Sequence, residues 1–479
     1  MDVIIYDNMF PGGFVMNNND LLRNRQAIVS LLTAARIEKG ISQQTLAEMI
    51  GTKRSNICRI ESGAQNITLD MMLKIADALG KDITVMLQEK SPKDVNLYSL
   101  RMYDEELLTF SLKEGGLEGL RAEILTVNEP LKGVFPMDLD LTGEGVIKWL
   151  RRRVIPKNRA FVDEILKTLG LSINNTKGII DVCKGLSLND SYWIVPLGFE
   201  GTFSEYNLYD NRFSNVLSLV AYTGVGADRE AFSTSPELTT QGMLRKAWRF
   251  IEGEGIWLYK GGTTGAANAG REPYSEFYAS QVAECMELNA VHYDLEYWKG
   301  ILASKCKLFT DIDTAYIPVG NLVKSGGIKA CLDFYESISP EAAEELRSML
   351  VFDAVIYNED RHFGNFGVLR DNRSGKITGA APIFDNGLSL FNYAMPEDFA
   401  NIREYAQTRT NPYGISFEDV CQEVMGARQR SQLRRLIGFS FTRHPSINLP
   451  EDHLKAIEEQ LDWRVRELLS LPRAIKTTG

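Results

Sequence analysis

At 479 residues the chain exceeds a typical single domain of roughly 100–200 residues, so two or three domains are expected. Hydrophobic residues make up 44% and charged residues 24%, an ordinary globular balance that excludes a small stapled scaffold. The formal net charge of −10 argues against nonspecific nucleic-acid coating by the whole chain. Charge is local, however. Residues 1–90 carry ten Lys/Arg and ten Asp/Glu, so the deficit lies wholly after residue 90, and that break marks separate modules. The six cysteines are scattered with no C-x-x-C pair, which predicts neither a zinc site nor a disulfide framework. No basic-then-apolar leader pattern and no apolar run of about 18 residues occurs. A cytoplasmic protein without a membrane partner is expected.

Residues 1–20 are irregular, punctuated by Pro11-Gly12-Gly13 and Asn17-Asn18-Asn19. Leu21 to Leu87 then reads as four or five short helices. Ser42 caps one that ends at Gly51, with Leu46, Ala47 and Ile50 on one face. The next spans about 53–62, turns Ile57 and Ile60 inward and stops at Gly63. Thr68 caps a third, 69–79, closed by Gly80. Two short helices joined by a tight glycine turn form a helix-turn-helix, whose second helix enters the major groove. That leaves Thr52, Lys53, Arg54, Ser55 and Asn56 as exposed candidates for base edges, with Arg59 in reach of phosphate or a base. The spacing S-Q-x-x-L-A-x-x-x-G, followed by I-x-x-I-E-x-G, resembles the Cro/repressor-like helix-turn-helix family. A neutral module gains little from phosphate neutralisation, so a homodimer is expected on DNA.

From 88 to 240 strands (108–112, 193–197) mix with helices (143–154, 158–169). The basic run Lys148-Trp149-Leu150-Arg151-Arg152-Arg153 fits an amphipathic surface helix. A strand over 254–260 carries Lys260 at its end, where a lysine can pair with nucleotide phosphates. A helix over 272–289 brings Glu272, Glu276 and Glu284. An apolar helix over 346–357 leads into Asn358-Glu359-Asp360-Arg361-His362-Phe363-Gly364-Asn365. Short strands follow over 366–370 and 380–384, the second ending in Asp385-Asn386-Gly387. After about 395 the chain reads as helical, near 416–426, 428–437 and 450–470.

Phosphoryl transfer needs a carboxylate to take the acceptor's proton, and an Asn and an Asp to hold Mg²⁺ against the phosphates. D-x-x-x-x-N followed by a strand-borne D-x-G supplies that set as Asp360, Asn365 and Asp385. The segment N-x-D-R-H-x-x-N, Asn358–Asn365, resembles the HipA-like serine/threonine kinase family. The resemblance implies Asp360 as catalytic base, Asn365 and Asp385 as metal ligands, His362 as part of the motif, and Glu276 as the partner of Lys260, opening a helix Phe277–Met286. Ser275 stands where the family usually has Asn. Leu238–Lys246 is similar to the family's phosphate-covering loop, with the N–H groups of Thr239, Thr240, Gln241 and Gly242 meeting the phosphates. Gly261–Gly265 is read as a mobile connection. The hydroxyl-rich stretch before the loop makes Ser233 or Ser235 the autophosphorylation candidate that the resemblance implies. By order along the chain, 311–320 is the hinge, with Tyr316, Ile317, Pro318 and Val319 lining the base pocket.

The expected architecture is therefore multidomain: an all-α helix-turn-helix domain over 21–88, then an α+β two-lobed protein-kinase-like domain, with lobes over 95–310 and 311–474. The expected function is an ATP- and Mg²⁺-dependent serine/threonine protein kinase of HipA-like toxin type, acting on a protein substrate and on itself, with a DNA-binding autoregulatory domain. Two alternatives stay open. One is a transcription regulator whose kinase-like domain senses a ligand. The other is a small-molecule phosphotransferase.

Overall fold

The computed structural model describes residues 2–3, 29–30, 32–63, 65, 67–81, 84–85, 96–114, 119–225, 234–266 and 268–472. Ser233 lies outside them. The chain divides into a unit built mainly on residues 1–95 and a larger unit that holds most of the remainder.

In the first unit residues 32–38 are helical, followed by α1 (Gln43–Met49), α2 (Arg54–Glu61) and α3 (Leu69–Ala78). Side-chain caps begin two of them. Ser42 accepts the Thr45 N–H at 3.0 Å and Thr68 accepts the Met71 N–H at 3.3 Å. Gly51 and Gly63 follow α1 and α2 in the left-handed conformation, which a Cβ would strain. Leu46, Ala47, Ile57, Ile75 and Leu79 form the core of the unit. Arg36 closes it with a bidentate pair to Glu61, at 2.7 and 2.8 Å, and Gln43 donates to the same carboxylate at 2.8 Å.

The second unit is mixed α+β. Its first sheet joins β1 (Leu97–Met102), β2 (Glu105–Glu114), β3 (Leu120–Val127) and β4 (Tyr192–Pro196) in the order β3-β2-β1-β4, antiparallel throughout. The helix α4 (Gly143–Arg152) buries Val146, Ile147, Trp149 and Leu150 and leaves Lys148 and Arg151 exposed. The second sheet follows α5 (Asn215–Thr223). It joins β5 (Lys246–Ile251), β6 (Gly255–Gly261), β7 (Asp294–Trp298) and β8 (Ile301–Lys307) in the order β5-β6-β8-β7, again antiparallel. Between β6 and β7 runs α6 (Glu272–Cys285). The third sheet is β9 (Thr314–Pro318), β10 (Gly367–Asp371) and β11 (Ile377–Ala380).

The main core surrounds α8 (Pro340–Ile356), which follows α7 (Gly327–Ile338) and is buried along most of its length, including Leu346, Leu350, Phe352 and Val355. Packed against it are α9 (Phe417–Val424), α10 (Ala427–Arg435) and α11 (Glu451–Ser470). Among the described residues no helix is long and apolar enough to cross a membrane.

Three expectations change. The strand expected over 380–384 ends where it was to begin, at Ala380. Beyond it the chain leaves the sheet, and Ile383 makes only an isolated parallel bridge to Ala290. Second, Glu276 does not open its helix. Pro273 lacks an N–H and has a preset φ, so it suits a first turn, and α6 begins at Glu272. Glu276 is thereby carried into the second turn. Third, α6 stops at Cys285 instead of reaching 289, because Glu287 turns into the left-handed region.

Candidate phosphoryl-transfer site and DNA-reading helix

Lys260, near the end of β6, is the hub of the site. Its Nζ donates to Glu276 Oε1 on α6 and to Asp385 Oδ1, joining residues 125 positions apart. Ser304 on β8 donates its hydroxyl to the other oxygen of Glu276. Burial pushes the Lys260 pKa down, but Asp385 and Glu276 outweigh it and hold it above the ordinary lysine value. Burial would raise the Asp385 carboxyl, yet Lys260 and then Lys246 bring it down to about 2. Burial raises Glu276, with Lys260 opposing. Asp385 has φ +58, and its N–H donates to the Tyr293 hydroxyl at 3.2 Å. Of the other acids named on this helix, Glu272 is buried and accepts the Thr263 N–H, in the 261–265 connection, at 3.2 Å. Glu284 is exposed.

The loop after α8 is built around a buried arginine. Tyr357 ends the helix at φ +52, and Asn358 donates its amide to Asp353 Oδ1 at 2.9 Å. Arg361, fully buried, forks onto Asp353 at 3.0 and 3.1 Å. It also donates to the carbonyls of Asn365 (3.0 Å) and Phe384, and to Asn386 Oδ1. One guanidinium thus ties the loop that carries Asp360 to the two residues flanking Asp385. Asp360 is half-buried and shows its carboxylate to Asn365, whose Nδ2 lies 2.9 Å from the Asp360 carbonyl and 3.4 Å from Oδ2. Burial raises the Asp360 carboxyl, with His362 opposing and Asp385 adding to the rise. His362 itself is exposed, and its Nδ1 accepts the Gly364 N–H at 3.0 Å. Its visible work is to close the turn.

The loop ahead of the lysine strand differs from the expectation. Thr239 and Thr240 both donate their N–H groups to the Pro236 carbonyl, at 3.1 and 3.0 Å. A 3-10 turn over Pro236–Leu238 forces this, and it removes those two N–H groups as phosphate ligands. Gln241 and Gly242 are exposed, and their N–H groups have no hydrogen bond within the described residues. Arg159 anchors the loop from beneath. It pairs with Glu237, both wholly buried, and donates to the carbonyls of Glu237 (2.6 Å), Thr240 (3.3 Å) and Lys246 (3.1 Å). Ser235 is also buried and accepts the Glu237 N–H at 3.3 Å, so it is closed to modification in this arrangement. Tyr316 packs edge-on against Phe309 and Phe384 and is only 7% exposed. Its hydroxyl donates to the Gly364 carbonyl at 3.2 Å. It supports the loop that carries Asp360 and does not line an open base pocket.

Sequence reasoning missed Lys246, Arg159, Asp353, Asn386 and Ser304. Asn386 lay inside a quoted motif. Lys246 closed the quoted loop, and Asp353 lies five and eight residues from its partners Asn358 and Arg361. Arg159 and Ser304 announce themselves only through contacts across long sequence separations.

In the helical unit Lys53, Arg54, Ser55 and Arg59 are exposed on α2 and its cap, while Thr52 and Asn56 are partly covered. Asn56 donates to Thr52 Oγ1 at 3.0 Å and accepts from Arg59 at 2.7 Å, so the three side chains form one hydrogen-bonded row.

Residues 32–86 match the family model described as helix-turn-helix. An uncharacterized HTH-type transcriptional regulator of Haemophilus influenzae is 37% identical over 62 residues, which cover 13% of this chain and 63% of that protein. The chain therefore spans less than two thirds of that relative's length. Among solved structures, a Helicobacter pylori proinflammatory kinase, CtkA, aligns with a TM-score of 0.38 and 19% identity, over 47% of this chain and 93% of its own. The Shewanella oneidensis toxin–antitoxin complex of HipA, HipB and operator DNA aligns with a TM-score of 0.47 and 12% identity, over 78% of this chain and 100% of its own. The N-terminal region is a helix-turn-helix, which supports DNA binding, and it precedes a mixed α+β region.

Proposed function

We propose that the α+β region is an ATP-dependent serine/threonine protein kinase of HipA-like type and that the helix-turn-helix targets it to DNA. The single observation behind this reading is Lys260 held between Glu276 and Asp385, with Arg361 locking the Asp360 loop to the Asp385 segment. Phosphoryl transfer is mostly positioning and charge stabilisation, and this is a charge-positioning scaffold. Lys260 neutralises nucleotide phosphates. Asp360 takes the acceptor's hydroxyl proton, and its raised carboxyl makes it a better base than an ordinary aspartate.

The donor set also suits Mg²⁺. Asn365 uses its Nδ2 on Asp360, which leaves its amide oxygen for a cation, and Asp385 keeps its second oxygen. Among the described residues no three His, Cys, Asp or Glu cluster as a cage. That fits an ion bound by one or two protein oxygens plus substrate phosphates. When bound, Mg²⁺ supplies charge neutralisation at the phosphates.

Incubation with labelled ATP and Mg²⁺ is expected to label the wild-type protein, and Lys260→Met to abolish the labelling. Equal labelling of both would sink the kinase reading. Ligand-responsive DNA binding without any phosphoryl transfer would favour the sensor alternative.

For the helix-turn-helix, Arg54 and Asn56 are the proposed base readers and Lys53 a phosphate contact, in a homodimer. Arg54→Ala is expected to cost about 1–3 kcal/mol of operator affinity and to relax sequence preference. Lys53→Ala should weaken binding to all sequences and lower the salt slope by about one. Fluorescence anisotropy across a salt series checks both. Identical salt slopes for wild type and Lys53→Ala would remove Lys53 from the interface.

A further inference from the structure

We propose that a cleft between α8 and α10 binds a small free amino acid with an apolar side chain, holding its ammonium on Glu345 and its carboxylate on Gln432 and Arg428. Nothing in the nucleotide reading above requires or predicts such a site.

The cleft lies between these two helices and the seam where Ile383 bridges Ala290. With its open mouth it measures about 420 Å³, and about 30 Å³ of that admits the centre of a water-sized group. Room of that size suits a ligand of a few heavy atoms. Leu346, Met349 and Ile383 are buried and give it an apolar wall.

Polar side chains converge there without satisfying one another. Glu345, half-buried on α8, has no ion pair among the described residues, and its one hydrogen bond there comes from Asn289 Nδ2 at 3.5 Å. So long a contact offsets little of the cost of covering a carboxylate. Burial raises the Glu345 carboxyl, against the Asn289 amide, with Glu341 adding to the rise and Arg428 opposing. Arg428 and Gln432 stand one helical turn apart on α10. Gln432 is only 7% exposed. Its Oε1 accepts the Ser348 hydroxyl at 2.9 Å, and its Nε2 has no hydrogen bond among the described residues. Arg428 spends Nη1 on Glu341 at 2.7 Å, in an exposed pair worth little, and its other donors make no hydrogen bond among the described residues.

An acid and a base that line one cleft without pairing suit an occupant that carries both signs. An α-amino acid carries both on one carbon. Its ammonium supplies the cation that Glu345 lacks. Its carboxylate accepts from Gln432 Nε2 and Arg428, and its side chain meets the apolar wall. A plain cation would leave Gln432 Nε2 unserved, and a plain anion would face Glu345. The roof of the cleft is the chain that runs on to Asp385. There the Ile383 N–H donates to the Asn289 carbonyl at 2.9 Å, and the Ile383 carbonyl accepts the Val291 N–H at 2.8 Å.

The test is calorimetric titration of the full chain with L-valine, N-acetyl-L-valine and L-valinamide, without nucleotide and with circular dichroism as a check on folding. Blocking the amine or neutralising the carboxylate removes a charge-assisted contact, about a 10- to 100-fold change in affinity. Wild type is expected to bind L-valine and to lose about that factor for each derivative. Glu345→Gln should weaken L-valine by a similar factor and leave N-acetyl-L-valine unchanged. Arg428→Met should weaken L-valine more than L-valinamide. No binding of L-valine by wild type would overturn the assignment, as would equal L-valine affinity in wild type and Glu345→Gln. Equal affinity of wild type for L-valine and N-acetyl-L-valine would overturn it too, because Glu345 would then meet no cation. Every arm runs without nucleotide, so none of these failures bears on the kinase reading.

Discussion

Asp360→Asn is expected to lower the rate of phosphoryl transfer by about 100- to 10,000-fold while leaving ATP affinity within a few-fold. The substitution keeps the shape of the side chain. Asn365 holds this loop chiefly through the Asp360 main-chain carbonyl at 2.9 Å, which the change does not touch. Asp360 makes no ion pair with Lys260, whose carboxylate partners are Glu276 and Asp385. On the proposed function, what the substitution removes is proton acceptance. The Asp360 carboxyl is raised by burial and by Asp385, so it is a stronger base than a solvated aspartate. Initial rates of label incorporation report the chemistry, and calorimetry with ATP reports binding. A variant with the wild-type rate would remove Asp360 from the mechanism. A variant that loses ATP binding in parallel would make it a binding residue instead.

The contrast between Asp360 and Lys246 shows what a linear sequence carries. Asp360, Arg361 and Asn365 lie within six residues, so their relation is local and the motif spells it out. The same holds for Ser42 and Gly51, or Thr68 and Gly80, which bracket helices by rules acting over one turn. Lys246 faces Lys260 only because β5 and β6 pair in one register, and a slip of one residue would turn it to the other face. The glycine-bearing turn Glu252-Gly253-Glu254 sets that register, but no motif marks the two lysines it brings face to face. Arg159 reaches Glu237 and the Lys246 carbonyl across 78 and 87 positions, a relation set wholly by tertiary packing. The loop illustrates a third limit. Thr239 and Thr240 have the small polar character of phosphate binders, but a Ser-Pro pair just ahead folds their N–H groups onto Pro236. The 380–384 segment, Ala-Ala-Pro-Ile-Phe, is apolar enough to read as a strand, yet beyond Ala380 it lies outside the ladder and leads to Asp385, which meets Lys260.

Arg361→Met should be the most damaging single change to the fold of the α+β region, at about 3–5 kcal/mol. The methionine fills part of the space but strands Asp353, which is 3% exposed and whose charge is balanced by this guanidinium. Two carbonyls and Asn386 Oδ1 lose their donor in the same step. Urea unfolding followed by tryptophan fluorescence isolates the effect, because all six tryptophans lie at position 149 or beyond. The double variant Asp353→Asn/Arg361→Met separates two roles. Asparagine removes the stranded charge and keeps an acceptor for Asn358, so part of the lost stability should return. Activity should not return, because nothing then ties Asn365 to Phe384 and Asn386, and Asp360 is no longer fixed against Asp385. A double variant that regains both stability and activity would show that Arg361 serves only the charge balance of the core. One that regains neither would show that the stranded carboxylate was not the source of the loss.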